Sequence, residues 1–231
     1  MKVNNIDIAV FGAKQLKVDI QTSNVIVNKE LLPKSLNPIF ISKKIELKNI
    51  KVDLLFEGDN RDKILKNISN LASKITEETT LNLDGYSNNY ICYLVNKNTE
   101  KTISKKKYKV SLDFEGYEVG NEVIESANRV VTKTINVIGN TETTAIVEIT
   151  PSIDIIDIAI NGLGEVFTIK NLKQGQKVII NGEACTVTQD GINKFIDTDL
   201  WEFPYLKAGA NTLTFSKNNC DITIKYKPRW I

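Results

Sequence analysis

The chain has 231 residues, of which 42% are hydrophobic and 25% are charged, a composition typical of a folded globular protein. Its formal net charge is +2 without a strongly basic half, which argues against nucleic-acid binding or attachment to an anionic membrane. The sequence contains no histidine, and this absence excludes histidine-based catalytic triads and the commonest zinc ligand. The one dense basic run, Lys105-Lys106-Lys107, is typical of a solvated loop or strand edge.

The N-terminal segment MKVNNIDIAVFGAKQ lacks the apolar stretch of a signal peptide. No run of residues approaches the ~18 apolar residues that span a bilayer. We therefore expect a protein made in the cytoplasm, without membrane insertion. Among the cysteines, the apolar surroundings of Cys92 and Cys185 predict buried thiols, whereas Cys220, beside a predicted turn, is expected to be more exposed.

No chemistry-bearing motif emerges from the sequence. Phosphate-loop, dinucleotide-binding and EF-hand spacings are all missing. The acidic pairs Asp154/Asp157 and Asp197/Asp199 lie beside strand-like or turn-like segments and cannot be told from surface acids. We therefore predict a protein without catalytic, metal or cofactor sites.

The first half opens with alternating residues that predict a strand over 16–20 and another over 25–27. The run KKIELKNIKVDLLFEG, residues 43–58, then predicts one long strand. Its apolar residues change phase between Leu47 and Ile50, so we expect a bulge or bend near Lys48-Asn49. A long bent strand of this kind suits a sheet that curves.

A helical period follows, and Asp59 or Asn60 can cap it. The apolar residues of this helix are Ile64, Leu65, Ile68, Leu71 and Ile75. Further strands are predicted over 80–83, 90–95 and 108–114. The polar segment 115–127 marks a boundary, so we expect one domain over residues 1–130 and a second over 131–231.

The second half contains short strands separated by turns, which is typical of an all-β sandwich or jelly roll. The strongest hairpin signal is Asn181-Gly182. Near its end, the stretch LWEFPYLKAGANTLTFS places Trp201, Phe203 and Tyr205 two residues apart. These aromatics could form a sugar platform, a subunit interface or part of a core. We favour a hairpin in which Trp201 and Phe203 face the core.

This stretch, together with the chain end IKYKPRWI, resembles the signature of the distal tail protein (Dit) family of siphophages and prophages. The matching signature positions are Trp201, Phe203, Pro204, Leu206, Gly209, Asn211, Arg229 and Trp230. The hairpin GQKVIINGEACTV also fits. The first half is similar to the tail-tube-like domain of the family in the order and length of its elements.

The resemblance implies a mainly β fold, with an N-terminal tail-tube-like β-sandwich carrying one helix and a C-terminal galectin-like or jelly-roll β-sandwich. It further implies a homo-hexameric ring at the virion tail tip that joins the tail tube protein to a tail-associated, baseplate or fibre-bearing protein. DNA would pass through the lumen without specific binding. The long strand supplies possible ring-interface residues, namely Ile45, Leu47, Ile50, Val52, Leu54 and Phe56.

Two alternatives to the hub remain. A carbohydrate-binding protein for host-surface glycans would use exposed Trp201, Tyr205 or Trp230 to stack on sugar rings, although the galectin type of site requires a histidine that this chain lacks. A hydrolase would need a nucleophile and base that the sequence does not supply.

Overall fold

The computed structural model describes residues 1–101 and 106–231, so Lys105 of the basic run lies outside the described residues. The described chain forms two compact units, residues 1–119 with Ile231, and residues 120–230. Strands dominate both units, and the described part of the chain contains one α-helix. The mainly β fold class with a single helix is therefore confirmed.

Among the residues described, the first unit has nine strands and one α-helix. In chain order these are β1 (Lys2–Val3), β2 (Ile6–Asp7), β3 (Ala13–Ile20), β4 (Val25–Glu30), β5 (Ile39–Ile45), β6 (Lys48–Glu57), α1 (Arg61–Ala72), β7 (Thr79–Asn82), β8 (Asn89–Lys101) and β9 (Lys107–Val119). A 3₁₀ turn, Ile8–Phe11, separates β2 from β3.

The main sheet of this unit is antiparallel, in the order β2-β1-β7-β8-β9-β6-β3. Strand β6 pairs with β9 along its whole length, from Lys48 opposite Gly116 to Glu57 opposite Lys107. The helix begins as predicted, because the Asn60 side chain accepts a 2.8 Å hydrogen bond from the Lys63 amide. Its apolar face is buried in the same core as the alternating residues of β6 and β9.

The predicted long strand is two strands that belong to different sheets. Strand β5 ends at Ile45 and pairs only with β4, whereas β6 begins at Lys48 in the main sheet. The phase change between Leu47 and Ile50 therefore marks a connection between sheets, where the prediction placed a bulge within one strand. Register shifts do occur in the main sheet, between Gln15 and Lys17 and between Leu94 and Asn96.

The second unit contains thirteen strands. They are β10 (Val123–Asn128), β11 (Thr132–Val137), β12 (Thr143–Pro151), β13 (Ile155–Asn161), β14 (Phe167–Leu172), β15 (Val178–Asn181), β16 (Thr186–Gln189), β17 (Ile192–Asn193), β18 (Thr198–Asp199), β19 (Tyr205–Leu206), β20 (Gly209–Phe215), β21 (Cys220–Tyr226) and β22 (Arg229–Trp230). A 3₁₀ turn, Phe195–Asp197, lies between β17 and β18.

Two antiparallel sheets enclose one apolar core in this unit. One sheet has the order β10-β21-β12-β15-β16-β17, and the other has the order β11-β20-β13-β14-β18. Burial alternates along β12 and β21, as expected for strands with one face inward. The predicted sandwich is therefore present.

The two sheets meet at two edges. Strands β10 and β11 are consecutive in the chain and joined by an ion pair of 2.9 Å between Lys133 and Glu125. At the opposite end of each sheet lie the two-residue strands β17 and β18. The 3₁₀ turn between them contacts both β14 and β16. Residues 192–202, which we name the edge crossover, therefore pass from one sheet to the other.

The hairpin predicted at Asn181-Gly182 is present, but its loop is longer than two residues. Strand β15 pairs with β16 from Val178 opposite Gln189 to Asn181 opposite Thr186. The Asn181 carboxamide oxygen accepts hydrogen bonds from the amides of Glu183 and Ala184, at 2.9 and 3.0 Å. This Asx-type turn holds Asn181 in the strand and moves the reversal of the chain beyond Gly182.

Candidate assembly interface and C-terminal signature

The β4–β5 hairpin of the first unit is an exposed apolar element of the described chain. Its two strands pair with each other from Val25 opposite Ile45 to Glu30 opposite Ile39, with a register shift after Asn28. All residues of β4, and all of β5 except Ile45, are exposed. In the described part of the chain no other strand pairs with either of them.

Both faces of this hairpin are apolar. Three consecutive apolar residues occur in each strand, at 25–27 and 39–41, and consecutive side chains in a strand point to opposite faces. Phe40 is 61% exposed, and Leu36 in the connecting loop is 97% exposed. An exposed apolar surface of this continuity marks an interaction site in soluble proteins. The hairpin is therefore the candidate assembly interface.

The structure places the six predicted ring-interface residues in two settings. Ile50, Val52, Leu54 and Phe56 are buried in the core of their own unit, so they are unavailable to a second subunit. Ile45 is partly buried and Leu47 is exposed, at the base of the hairpin. The alternation that the sequence shows in β6 arises from packing within the protomer. The apolar surface that stays exposed lies on the neighbouring hairpin.

The solvent-facing side of the main sheet carries charges of both signs. Lys17 lies opposite Asp53, and Lys51 lies between Asp19 and Asp113 on the adjacent strands. Such a face has mixed charge and lacks the basic excess of a nucleic-acid groove.

Asp53 is the most buried carboxylate of this face. It accepts a 2.6 Å hydrogen bond from the Ser111 hydroxyl and pairs with the Lys109 ammonium at 3.0 Å. Burial by itself raises the pKa of Asp53, but the bonds from Ser111 and Lys109 outweigh it and hold the pKa below its ordinary value.

The signature aromatics of the second unit do not form the predicted hairpin. Strand β19 pairs with β12 in one sheet, whereas β20 pairs with β11 and β13 in the other. Trp201 is 86% exposed, so the prediction that it faces the core is wrong. It precedes β19 in a segment without strand pairing, where alternation along the sequence does not determine burial.

The residues after Trp201 are anchored to the core. Phe203 is partly buried, with its ring centroid 6.2 Å from that of Phe195. The carbonyl of buried Pro204 accepts a 2.9 Å hydrogen bond from the Ala145 amide. Leu206 is fully buried. Proline fits here because the chain needs only an acceptor at this position.

Gly209 and Asn211 form a turn that explains their place in the signature. Gly209 has a φ of +87°, a backbone conformation that glycine adopts without steric cost. The carboxamide of Asn211 is buried and makes three hydrogen bonds: it accepts one from the Lys207 amide and donates to the carbonyls of Lys207 and Gly209, at 2.8 to 3.0 Å. Asparagine is required because the side chain must both donate and accept.

The last two signature residues fix the C-terminal end of the second unit. The Arg229 guanidinium donates a hydrogen bond to the Thr144 hydroxyl at 3.3 Å. The backbone carbonyl of Arg229 accepts one from the Asn140 backbone amide at 3.0 Å. The Trp230 ring lies over Gly120, where an added Cβ would come within 3.1 Å of it. Both residues therefore have a packing role.

The cysteines differ from the prediction at two positions. Cys220 is buried and Cys185 is exposed, whereas Cys92 is buried as expected. Cys220 is the first residue of β21, and Cys185 lies in the loop that Asn181 extends. Over the described residues, no group of histidine, cysteine and acidic side chains has the arrangement of a metal site. None of the described helices has the length and apolarity of a membrane span.

Comparison with known proteins places this geometry in a family context. Residues 138–230 match the family described as siphovirus-type tail component, C-terminal domain. No match was found among curated proteins. The resemblance drawn from Phe203-Pro204 and the chain end is therefore confirmed over the second unit.

Solved structures share the fold of nearly the whole chain. The Dit protein of phage SPP1, described as a paradigm of the hub adsorption apparatus in phages that infect Gram-positive bacteria, gives a TM-score of 0.77 at 11% identity, over 99% of this chain and 98% of that chain. A chain of the phage P2 baseplate in its activated conformation with Ca gives a TM-score of 0.55 at 12% identity, over 95% of this chain and 92% of that chain. A chain of the corresponding p2 baseplate with Sr gives a TM-score of 0.54 at 12% identity, over 97% of this chain and 94% of that chain.

Proposed function

We propose that this chain, whose residues 138–230 match the C-terminal domain of siphovirus-type tail components, is a structural hub at the distal end of a phage tail. In this role it forms a homo-hexameric ring that joins the tail tube protein to a tail-associated, baseplate or fibre-bearing protein. The ring is located at the virion tail tip. The hub needs no catalytic residue and no cofactor.

The β4–β5 hairpin is the observation that carries the proposal. Two antiparallel strands by themselves are at best marginally stable in water, because they cannot bury enough surface. This hairpin exposes apolar side chains on both faces, including Phe40 and Ile41. A neighbouring subunit that covers the hairpin supplies the missing burial.

A ring requires a head-to-tail contact between two different surfaces of the protomer. The hairpin is one such surface, and its partner surface lies on the next copy. Residues 1–130 would supply the ring and 131–231 the outward domain. The DNA that crosses the ring meets a domain of mixed charge, which is consistent with transit and not with tight binding.

Native mass spectrometry and light scattering of the full chain test the proposal over a range of protein concentrations. We expect a species of six copies at high concentration. The double variant Phe40→Asp/Ile41→Asp should remain monomeric, because the charges would have to be buried in the contact.

The control is Val10→Asp, which introduces one aspartate at an exposed apolar residue of the first unit outside the hairpin. It should assemble like the unmodified chain. A chain that stays monomeric at every concentration, alone and with the tail tube protein, would contradict the proposal. Assembly of the Phe40→Asp/Ile41→Asp variant like that of the unmodified chain would exclude the hairpin as the contact, and equal loss in both variants would show that the effect is not specific to the hairpin.

A further inference from the structure

The edge crossover of the second unit, residues 192–202, exposes a set of large apolar side chains. Ile196 is 93% exposed and Trp201 is 86% exposed, and Ile192 and Phe195 are exposed as well. Ile192 lies in β17, Phe195 and Ile196 lie in the 3₁₀ turn between β17 and β18, and Trp201 follows β18, at one edge of the sandwich. They form an apolar surface that the core of the unit does not explain.

Hydrogen bonds hold this segment in a defined conformation. The Lys194 ammonium donates to the Asn171 carbonyl at 3.1 Å and pairs with Asp197 at 2.8 Å. The side-chain carboxamide of Asn171 donates to the other carboxylate oxygen of Asp197 at 2.8 Å, and the Thr198 hydroxyl donates to the Phe195 carbonyl at 2.7 Å. The exposed side chains are therefore presented from an ordered scaffold, which lowers the entropy lost on binding.

A shallow groove adjoins the crossover on its β16 side. It has a volume of about 220 Å³ and is lined by residues that include Val187, Gly191, Asn193 and Phe195. Phe195 thus belongs both to the groove and to the exposed surface. An apolar side chain of a binding partner can enter beside the Phe195 ring.

Exposed acidic residues lie close to the apolar residues in the chain. Asp190 and Asp199 are exposed, and neither makes an ion pair with another described residue. Glu202 is also exposed and accepts a hydrogen bond from the Glu165 amide at 3.2 Å. The one lysine of the crossover, Lys194, is already bound to Asp197. Exposed Lys170 lies near enough to help lower the pKa of Asp197. The exposed carboxylates of Asp190, Asp199 and Glu202 outnumber this one lysine, so the surface combines apolar groups with an excess of negative charge.

We propose that the edge crossover is a docking site for a protein segment that carries lysine or arginine beside aliphatic or aromatic side chains. The apolar residues supply the contact area, and the free carboxylates of Asp190 and Asp199 select a basic partner. This site is separate from the hairpin, and the proposal does not depend on ring formation.

A glycan fits the same surface less well. Trp201 could stack on a sugar ring, but Ile192 and Ile196 offer no hydrogen bonds to hydroxyl groups. Only a protein segment uses the aliphatic side chains, the aromatic side chains and the exposed carboxylates together. Binding of a sugar is therefore the competing outcome in the test.

Fluorescence anisotropy of two labelled synthetic peptides tests the site in the full-length protein. The peptides share the same leucine and phenylalanine positions, and one carries lysines where the other carries glutamates. We expect the lysine peptide to bind about tenfold or more tightly than the glutamate peptide, and to weaken as salt concentration rises.

Three variants locate the binding. Trp201→Ala and the double variant Asp190→Asn/Asp199→Asn should each weaken the lysine peptide by about tenfold or more. Ile138→Ala, which truncates an exposed apolar residue elsewhere in the unit, should leave its affinity unchanged. Far-UV circular dichroism and thermal unfolding confirm that every variant is folded.

The proposal is overturned if the lysine peptide does not bind, or if both peptides bind equally. It is also overturned if Ile138→Ala weakens binding as much as Trp201→Ala. Displacement of the peptide by soluble oligosaccharides of glucose or N-acetylglucosamine would assign the surface to glycan binding.

Discussion

The ammonium of Lys48 lies 2.8 Å from a carboxylate oxygen of Glu118, and both side chains are largely removed from solvent. Lys48 begins β6 on the same side of the strand as the core residue Ile50, and Glu118 is near the end of β9. The second carboxylate oxygen of Glu118 accepts a 2.8 Å hydrogen bond from the side-chain carboxamide of Asn88. Each charge of this largely buried pair is therefore neutralised by the other.

Removing one partner of this pair should therefore destabilise the protein strongly. Lys48→Ala leaves Glu118 without its counter-charge, and we expect the free energy of unfolding to fall by about 3 kcal/mol. Urea unfolding measures the change. Lys63→Ala, which removes an exposed ion pair with Asp59, should leave the free energy of unfolding almost unchanged. Equal effects of the two variants would show that the Lys48 pair is hydrated.

Asp53 should contribute to acid unfolding. Its pKa is below the ordinary value of 3.8 in the folded protein, so the folded state binds its proton less readily than the unfolded state. The resulting stability is present above pH 3.8 and is lost as the pH falls through the lowered pKa. We expect Asp53→Asn to destabilise the protein at pH 7 and to lose that effect toward pH 3, in urea unfolding at each pH. A constant difference would contradict this assignment.

Thiol labelling should distinguish the three cysteines. Burial raises the pKa of Cys92 to about 12 and that of Cys220 to about 11, so neither supplies a reactive thiolate at pH 8. In the native protein we expect a thiol reagent such as Ellman's reagent to modify Cys185 alone, and in urea all three. Cys185→Ser should abolish the fast reaction. Fast modification of Cys220 in that variant would show that β21 is open at its start.

Trp201 and Leu206 should respond very differently to truncation. Leu206 is fully buried, and Leu206→Ala should cost about 2–5 kcal/mol of stability through the lost burial and the cavity left behind. Trp201→Ala should leave the thermal midpoint nearly unchanged, because the indole is mostly in water. A large loss with Trp201→Ala would place its side chain in a core after all.

The carboxamide of Asn211 should be important for the C-terminal unit. Asn211→Ala leaves the backbone groups of Lys207 and the Gly209 carbonyl without their side-chain partner, so we expect a loss of about 1–3 kcal/mol. Urea unfolding measures it. Asn218→Ala, at an exposed asparagine in a turn, is the matched control and should have little effect. An Asn211→Asp variant as stable as the original chain would show that donation to the two carbonyls is unimportant.

The sequence predicted those parts of the fold that depend on local patterns. Helix α1 follows from the apolar spacing at Ile64, Ile68 and Leu71 and from the Asn60 cap. The alternation along β9, β12 and β21 predicts strands with one buried face. Local rules were sufficient here because each pattern repeats over many residues.

Strand partners were harder to predict, because they depend on contacts far apart in the chain. The run from Ile45 to Phe56 resembles one bent strand, yet its two parts belong to different sheets. The segments 203–206 and 209–215 resemble a hairpin, although they pair with strands of opposite sheets. The exposure of the hairpin residues and of Trp201 was also not predictable, because aromatic and aliphatic side chains in short alternating runs are usually buried.

The proposed role of the β4–β5 hairpin has a consequence for when a ring would form. Because the strands of the hairpin are exposed and pair only with each other among the described residues, the order of the hairpin and its contact with a partner would be thermodynamically linked. Dilute protomers would show fast amide exchange in this segment, and rising protein concentration would slow the exchange by mass action. Assembly would then complete the folding of the chain. In a free protomer the β4–β5 hairpin would be only partly ordered until neighbouring copies bind it.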